Sequence, residues 1–169
     1  EVQSRLRQLS DGFQYDSVDE KEVGEATSGG GGKDSFKDLL EDASQNHRKT
    51  RRGKTPKDDA LIEILEEHKE VAPKRLVVYA AFTASVDRCV EIAQKEGWNV
   101  WRYDGRGQYS FGKYSGITES IFQDPTGYPE PICFVGNPEA AGQGLTLTPS
   151  PTIVYYSNSF KGQFRVQSE

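Results

Sequence analysis

Residues Leu76-Val77-Val78-Tyr79-Ala80-Ala81-Phe82 form an unbroken apolar run that starts directly after Arg75 and ends at Thr83. A strand with one wet face alternates apolar and polar residues. A strand that is apolar at every position has to be covered on both faces. A parallel sheet with helices on either side meets that demand, so this run narrows the chain to α/β architectures. The same run is far shorter than the ~20 apolar residues of a membrane-spanning helix, and no membrane association is expected.

The pattern continues downstream. Thr83 is placed to cap a helix whose buried stripe is Val86, Cys89, Val90 and Ala93, with Gly97 as its stop. Val100-Trp101-Arg102-Tyr103 predicts a second strand closed by Asp104-Gly105. A short helix is expected between Gly116 and Gln123. Ile132 to Val135 reads as a third strand, Ala140 to Leu147 as a turn or helix, and Thr152 to Tyr156 as a fourth strand. Strands alternating with helices imply right-handed crossovers. Upstream, Thr55-Pro56-Lys57-Asp58 opens another helix, with a capping Thr, Pro at the first turn and acids at the positive end. Leu61, Ile64, Leu65 and His68 share one of its faces, Ala72-Pro73 ends it, and His68 is expected at the edge of the core.

The part before this helix differs in character. Only 34% of the chain is hydrophobic, mean hydropathy is −0.72, and the apolar residues concentrate after Thr55. Residues 1–15 read as a segment leading into the domain, 16–57 as a polar and partly flexible insertion, and 58–169 as the folded lobe. The insertion opens acidic, passes through the Ser28–Gly32 tract, and ends in a basic run from Arg48 to Lys57 that includes Arg51 and Arg52. That run is either a solvated loop or a phosphate-contacting element that gains from counterion release.

Several chemistries lack their residues. Only two histidines exist, His47 and His68, which leaves a Ser/His/acid triad without its partners, and no G-x-S-x-G elbow is present. Cys89 and Cys133 lie in apolar patterns and read as buried thiols of a reducing, cytoplasmic compartment. No metal-ligand spacing occurs, and no Gly-x-x-x-x-Gly-Lys-Ser/Thr phosphate loop is found. A net charge of −5 excludes a uniformly basic surface, but not a local patch. In open α/β sheets ligands bind beyond the carboxyl ends of the strands. Those ends carry Thr83, Asp104-Gly105-Arg106, Gly136-Asn137 and Ser157-Asn158-Ser159. The segment Asn137 to Thr148 holds Gly142 and Gly144, which permit close backbone approach to a ligand. It is not a dinucleotide fingerprint, since Leu147 stands at the third glycine.

In order along the chain, Arg75 to Thr83, Trp101 to Arg106, Ala140 to Thr148, Ile153 to Phe160 and Gln167-Ser168-Glu169 resemble motifs of the second RecA-like lobe of superfamily-2 helicases. The nearest likeness is to Swi/Snf-type DNA translocases and phage-like relatives. The segment Leu6 to Phe13 resembles the approach to that lobe. The resemblance covers the chain except the insertion. It implies a RecA-like (P-loop NTPase-like) parallel sheet flanked by helices, in a protein whose two lobes clamp ATP and Mg2+ and walk along a DNA backbone. The first lobe, absent here, would hold most of the nucleotide and metal. By resemblance Gly142, Gly144, Thr146 and Gln167 would face ATP, and Thr83, Arg106 and Asn137 would contact DNA phosphates; the basic run of the insertion adds Arg51 and Arg52 as further candidates. Thr146 departs from the family, which has Asn there. The chain also has no methionine and stops before the arginines of the last motif. It is therefore expected to be part of a longer bacterial or phage-encoded protein, to contain no catalytic residue, and to hydrolyse no ATP by itself. Two other classes remain: a non-catalytic helicase-like docking or DNA-binding module, and a Rossmann-like nucleotide or nucleotide-sugar enzyme.

Overall fold

The computed structural model describes residue 10 and residues 13–15, 50–141 and 144–157. The chain divides into two units, Glu1–Gly53 and Lys54–Glu169. In the first, β1 (Phe13–Tyr15) pairs antiparallel with β2 (Thr50–Arg52), with Phe13 opposite Arg52 and Tyr15 opposite Thr50. Arg51 and Arg52 therefore lie in a strand, not in the loop that the basic run suggests. The partner strand is more than thirty residues away, and no local signal announces it.

The second unit is built on a five-stranded sheet. Its elements are α1 (Pro56–Lys69), β3 (Arg75–Tyr79), α2 (Thr83–Lys95), β4 (Asn99–Asp104), β5 (Gly107–Phe111), α3 (Glu119–Gln123), β6 (Ile132–Gly136), α4 (Pro138–Ala141) and β7 (Ile153–Tyr155). The strand order is β5-β4-β6-β3-β7. β4, β6, β3 and β7 are parallel, and β5 returns antiparallel along the β4 edge. This is the expected RecA-like α/β class, with one strand the sequence reading did not contain. Asp104-Gly105, read as the end of a strand, is the start of a tight hairpin in which Asp104 pairs with Gly107.

The period of two in the strands sorts their residues between two cores. Leu76, Val78 and Ala80 of β3 and its exit, with Cys133 and Val135 of β6, face α1 and α2. There they meet Leu61, Leu65, Val86, Cys89, Val90 and Ala93. Val77 and Tyr79, with Ile132 and Phe134, face the other way onto Trp101, Ile117, Phe122 and Ala141. All five residues of β3 and all five of β6 are buried, as the continuous apolar run demands. Thr55 is the N-cap of α1, and its amide donates to Asp58 Oδ2 at 2.7 Å. α1 thus starts inside the stretch assigned to the insertion. In α2 the cap position belongs to Phe82, and Thr83 is the first helical residue. α4 occupies Pro138–Ala141, ahead of the expected position. His68 does sit at the core edge, its ring bridging the Ile64 carbonyl at 2.9 Å and the Thr152 hydroxyl at 2.8 Å.

At the amino edge of the sheet, Arg75 is 1% exposed. Its guanidinium donates to the carbonyls of Pro73, Lys74, Phe122, Asp124, Tyr128 and Glu130. It therefore fastens the whole connection from α3 to β6.

Candidate functional site

Parallel register brings the strand ends level. Gly136 lies opposite both Tyr79 and Tyr103, and Tyr155 opposite Tyr79. The segments leaving β3, β4, β6 and β7 therefore share one edge, where side chains stitch them together. The Ala81 amide donates to Ser157 Oγ at 2.8 Å. Asn137 Nδ2 donates to the Ala81 carbonyl at 2.9 Å, and Asn137 Oδ1 accepts the Glu139 amide at 2.8 Å. The Asn137 amide in turn donates to the Tyr103 carbonyl at 3.1 Å. Gly136 is required here because a Cβ would lie 2.7 Å from the Phe134 ring and 3.2 Å from Ala141 Cβ.

Thr83 stands exposed at the start of α2, where the first-turn amides carry the positive end of the helix dipole. Arg106, in the β4–β5 turn, lies between two carboxylates. Asp104 accepts from Arg106 Nη2 at 2.6 Å and Nε at 3.1 Å, and Asp87 Oδ1 accepts from Nη2 at 2.6 Å. Asp104 is buried, which pushes its carboxyl pKa up, but the bonds from Arg106 outweigh burial and hold it below the usual value. The same bonds, first to Asp104 and then to Asp87, hold the Arg106 guanidinium firmly protonated.

A second buried network lies beneath this edge. Asp58, 3% exposed, accepts from Arg88 Nε at 2.6 Å and from Arg88 Nη2, and from the Tyr156 hydroxyl at 2.9 Å. It joins the start of α1 and the middle of α2 to the end of β7. Burial raises the Asp58 pKa, and the bonds from Arg88, the Thr55 amide and Tyr156 together bring it below the usual value.

The structure brings Thr83, Arg106 and Asn137 to one edge. Asn137 spends both ends of its carboxamide on the protein itself. Thr146 is elsewhere, on the face beside α3. Its amide donates to Glu119 Oε1 at 2.7 Å and its carbonyl accepts from Gln123 Nε2 at 2.9 Å. Leu145 and Leu147 pack inward against the core and leave the Thr146 side chain exposed. Gly144 has φ +85°, a conformation that favours glycine, with open space around it. Gly142 and Gln167 lie outside the described residues, as do the side chains of Arg51 and Arg52. Asp87, Asp58, Arg88 and Tyr156 were not singled out by the sequence. Their partners are 19 to 98 residues away, and only the i, i+4 spacing of Thr83 and Asp87 hints at a shared face. Among the described residues, no group of three or more His, Cys, Asp or Glu side chains is placed to hold a metal ion.

No protein-family model matches the chain, and no curated protein matches it. Solved structures do. The crystal structure of the C-terminal part of the Fun30 ATPase domain matches with a TM-score of 0.53 and 16% identity, over 68% of this chain and 35% of that chain. The Pyrococcus furiosus Hef helicase domain matches with a TM-score of 0.48 and 17% identity, over 80% of this chain and 25% of that one. The chain thus spans about a third of the Fun30 chain. The fold is a RecA-like α/β lobe of the kind found in the C-terminal part of that ATPase domain.

Proposed function

We propose that this chain is the second lobe of an ATP-dependent DNA helicase or translocase, contributing part of the ATP cleft and part of a track for the DNA backbone. The observation that carries the reading is the helicase-type lobe whose level strand ends place Thr83 and Arg106 at one edge. A hydroxyl at a helix start and a guanidinium beside it suit phosphate oxygens and read no bases. Gly142, Gly144, Thr146 and Gln167 are assigned to the nucleotide side by resemblance, and Arg51 and Arg52 to the DNA side by the basic run they belong to. The described residues form no acidic cluster for Mg2+, and the sequence has no Gly-x-x-x-x-Gly-Lys-Ser/Thr loop, since Gly53-Lys54-Thr55 has Arg48 where the first glycine would stand. This reading therefore gives the triphosphate and its metal mainly to a first lobe on a longer chain. With nucleotide bound, that pair would supply the hydrolysis that drives stepping. Thr83 and Arg106 would hold the backbone between steps, and the buried edge would keep the four exits in one arrangement. No described helix is long and apolar enough to cross a membrane.

One observation favours a second reading, a docking or DNA-binding module without catalysis: the polar groups of Asn137 and Arg106 are already engaged within the lobe. ATP hydrolysis by the complete open reading frame, with and without duplex and single-stranded DNA, separates the two. A motor shows strong stimulation by DNA, while the 169-residue chain alone turns over no ATP. A folded complete protein that hydrolyses nothing under any condition would leave the docking module.

A further inference from the structure

Asp87 lies one helical turn beyond Thr83 on the same face of α2. Its carboxylate meets Arg106 in a two-pronged pair, Oδ1 with Nη2 at 2.6 Å and Oδ2 with Nη1 at 3.2 Å. Asp104 holds the other side of the guanidinium through Nε and Nη2. The two acids are not equivalent. The Asp104 side chain is 4% exposed and is fixed in the hairpin turn, where it also accepts the Arg106 amide at 2.9 Å. The Asp87 side chain is 32% exposed and that of Arg106 42%. Solvent, and any oxyanion in it, reaches only the outer pair.

A phosphate presents to a guanidinium fork the same two-oxygen edge as a carboxylate. We propose that Asp87 is an internal competitor for nucleic-acid phosphate at Arg106. It occupies the outer edge of the guanidinium, and a backbone phosphate gains that edge only when the Asp87 pair opens. Asp104 keeps the arginine aimed while the exchange takes place. An exposed ion pair of this kind is weak and opens readily, so the grip on each phosphate is loosened without abolishing it. A lobe that must release one phosphate before taking the next is served by such an exchange, because Arg106 always has an oxyanion partner. The inference rests on the DNA-track reading above and adds to it the residue that sets the strength of the grip.

The experiment measures binding of the complete open reading frame to a fluorescein-labelled DNA duplex by anisotropy, without nucleotide, over a series of salt concentrations. Asp87→Asn keeps the shape of the side chain and removes its charge. It is expected to tighten binding roughly two- to fivefold and to steepen the log–log salt slope by about 0.9, because the phosphate then no longer frees a carboxylate that takes up a cation in its place. Arg106→Gln in the Asp87→Asn background is expected to remove both gains. If the wild type binds and Asp87→Asn does not change its affinity or slope, the competitor role is wrong and the DNA-track reading stands. The double variant has the net charge of the wild type, so a gain that survives Arg106→Gln does not act through Arg106 and overturns the proposal. A gain matched by Glu63→Gln on the exposed face of α1 comes from net charge alone and overturns it too. If neither the wild type nor Asp87→Asn binds DNA, the DNA-track reading fails and the competitor falls with it.

Discussion

Replacing Arg75 by methionine tests whether the amino edge of the sheet is held by one buried cation. Of its six acceptors, three are close: the carbonyls of Tyr128 at 2.7 Å, Phe122 at 2.9 Å and Glu130 at 3.0 Å. The other three, at 3.2 to 3.4 Å, contribute less. A hydrogen bond from a charged donor contributes about 1.5–3 kcal/mol, so three close bonds set an upper limit of about 9 kcal/mol. Two effects reduce this. Removing the guanidinium also removes its own desolvation cost of several kcal/mol. Water can reach part of the freed loop, since Gln123, Asp124 and Gly127 are exposed. The net loss is then about 2–4 kcal/mol, against a total of about 5–15 kcal/mol for an ordinary domain. Arg75→Lys keeps a charge but lacks the planar fork, and should fall between methionine and wild type. Urea unfolding followed by tryptophan fluorescence is a suitable assay, because the two tryptophans, Trp98 and Trp101, are both buried. Trp101 also packs on Phe122, with ring centroids 6.2 Å apart, so it reports on the clamped segment itself. A loss below about 1 kcal/mol for Arg75→Met, at unchanged urea slope, would refute the argument that these carbonyls depend on Arg75.

Asp58→Asn should cost about 2 kcal/mol near neutral pH, because it leaves the mostly covered Arg88 beside an uncharged partner. The folded pKa of Asp58 lies below its ordinary 3.8. Its contribution is therefore complete above that value and is lost as pH falls through the folded pKa. Urea midpoints measured from about pH 7 down to about pH 3 should show the gap between wild type and Asp58→Asn narrowing at the acid end. A gap that stays constant would count against the ionised pair as its source. Cys89 and Cys133 are both fully buried, and burial pushes the Cys133 thiol well above its usual pKa. Both should resist a thiol reagent in the native protein and react once urea unfolds it. Fast reaction of the native protein would show that this core opens far more readily than its packing implies.

What the sequence made legible is what depends on neighbours in the chain. The two-sided burial of β3 follows from seven consecutive apolar residues, and the start of α1 from Thr55, Pro56 and Asp58. The faces of α1 and α2 follow from helical spacing, and the interior strand β6 from its apolar run. What stayed hidden depends on distant partners. β5 reads Gly-Gln-Tyr-Ser-Phe, too polar to announce a strand, because an edge strand has only one neighbour and is half solvated. Asp58 looked like a favourable charge at the positive end of a helix. It is that, but its burial is made tolerable by Arg88 and Tyr156, 30 and 98 residues away. At the candidate site, Thr83, Arg106 and Asn137 were placed together through the rule that parallel strands end at one edge. The commitment of Asn137 and Arg106 to neighbouring groups depends on partners that only the folded chain brings together. Thr146 was placed by motif order, and motif order does not reveal that Glu119 and Gln123 fasten it over α3.

The two edges of the sheet solve opposite problems with the same residue type. At the amino edge, Arg75 donates to six carbonyls and to no carboxylate. Carbonyls fixed in a closed loop cannot be exchanged for an outside ligand, so that arginine fastens the structure. At the carboxyl edge, Arg106 has one buried carboxylate and one exposed carboxylate. The buried one sets its direction, and the exposed one can be replaced by another oxyanion. An arginine with no carboxylate would bind the first phosphate it met and hold it, while one between two buried carboxylates would bind none. On the proposed reading, the asymmetry between Asp87 and Asp104 would give the intermediate behaviour that repeated binding and release require. For that reason Asp87, which no motif names, is the position at which this edge can be tuned without disturbing the fold beneath it.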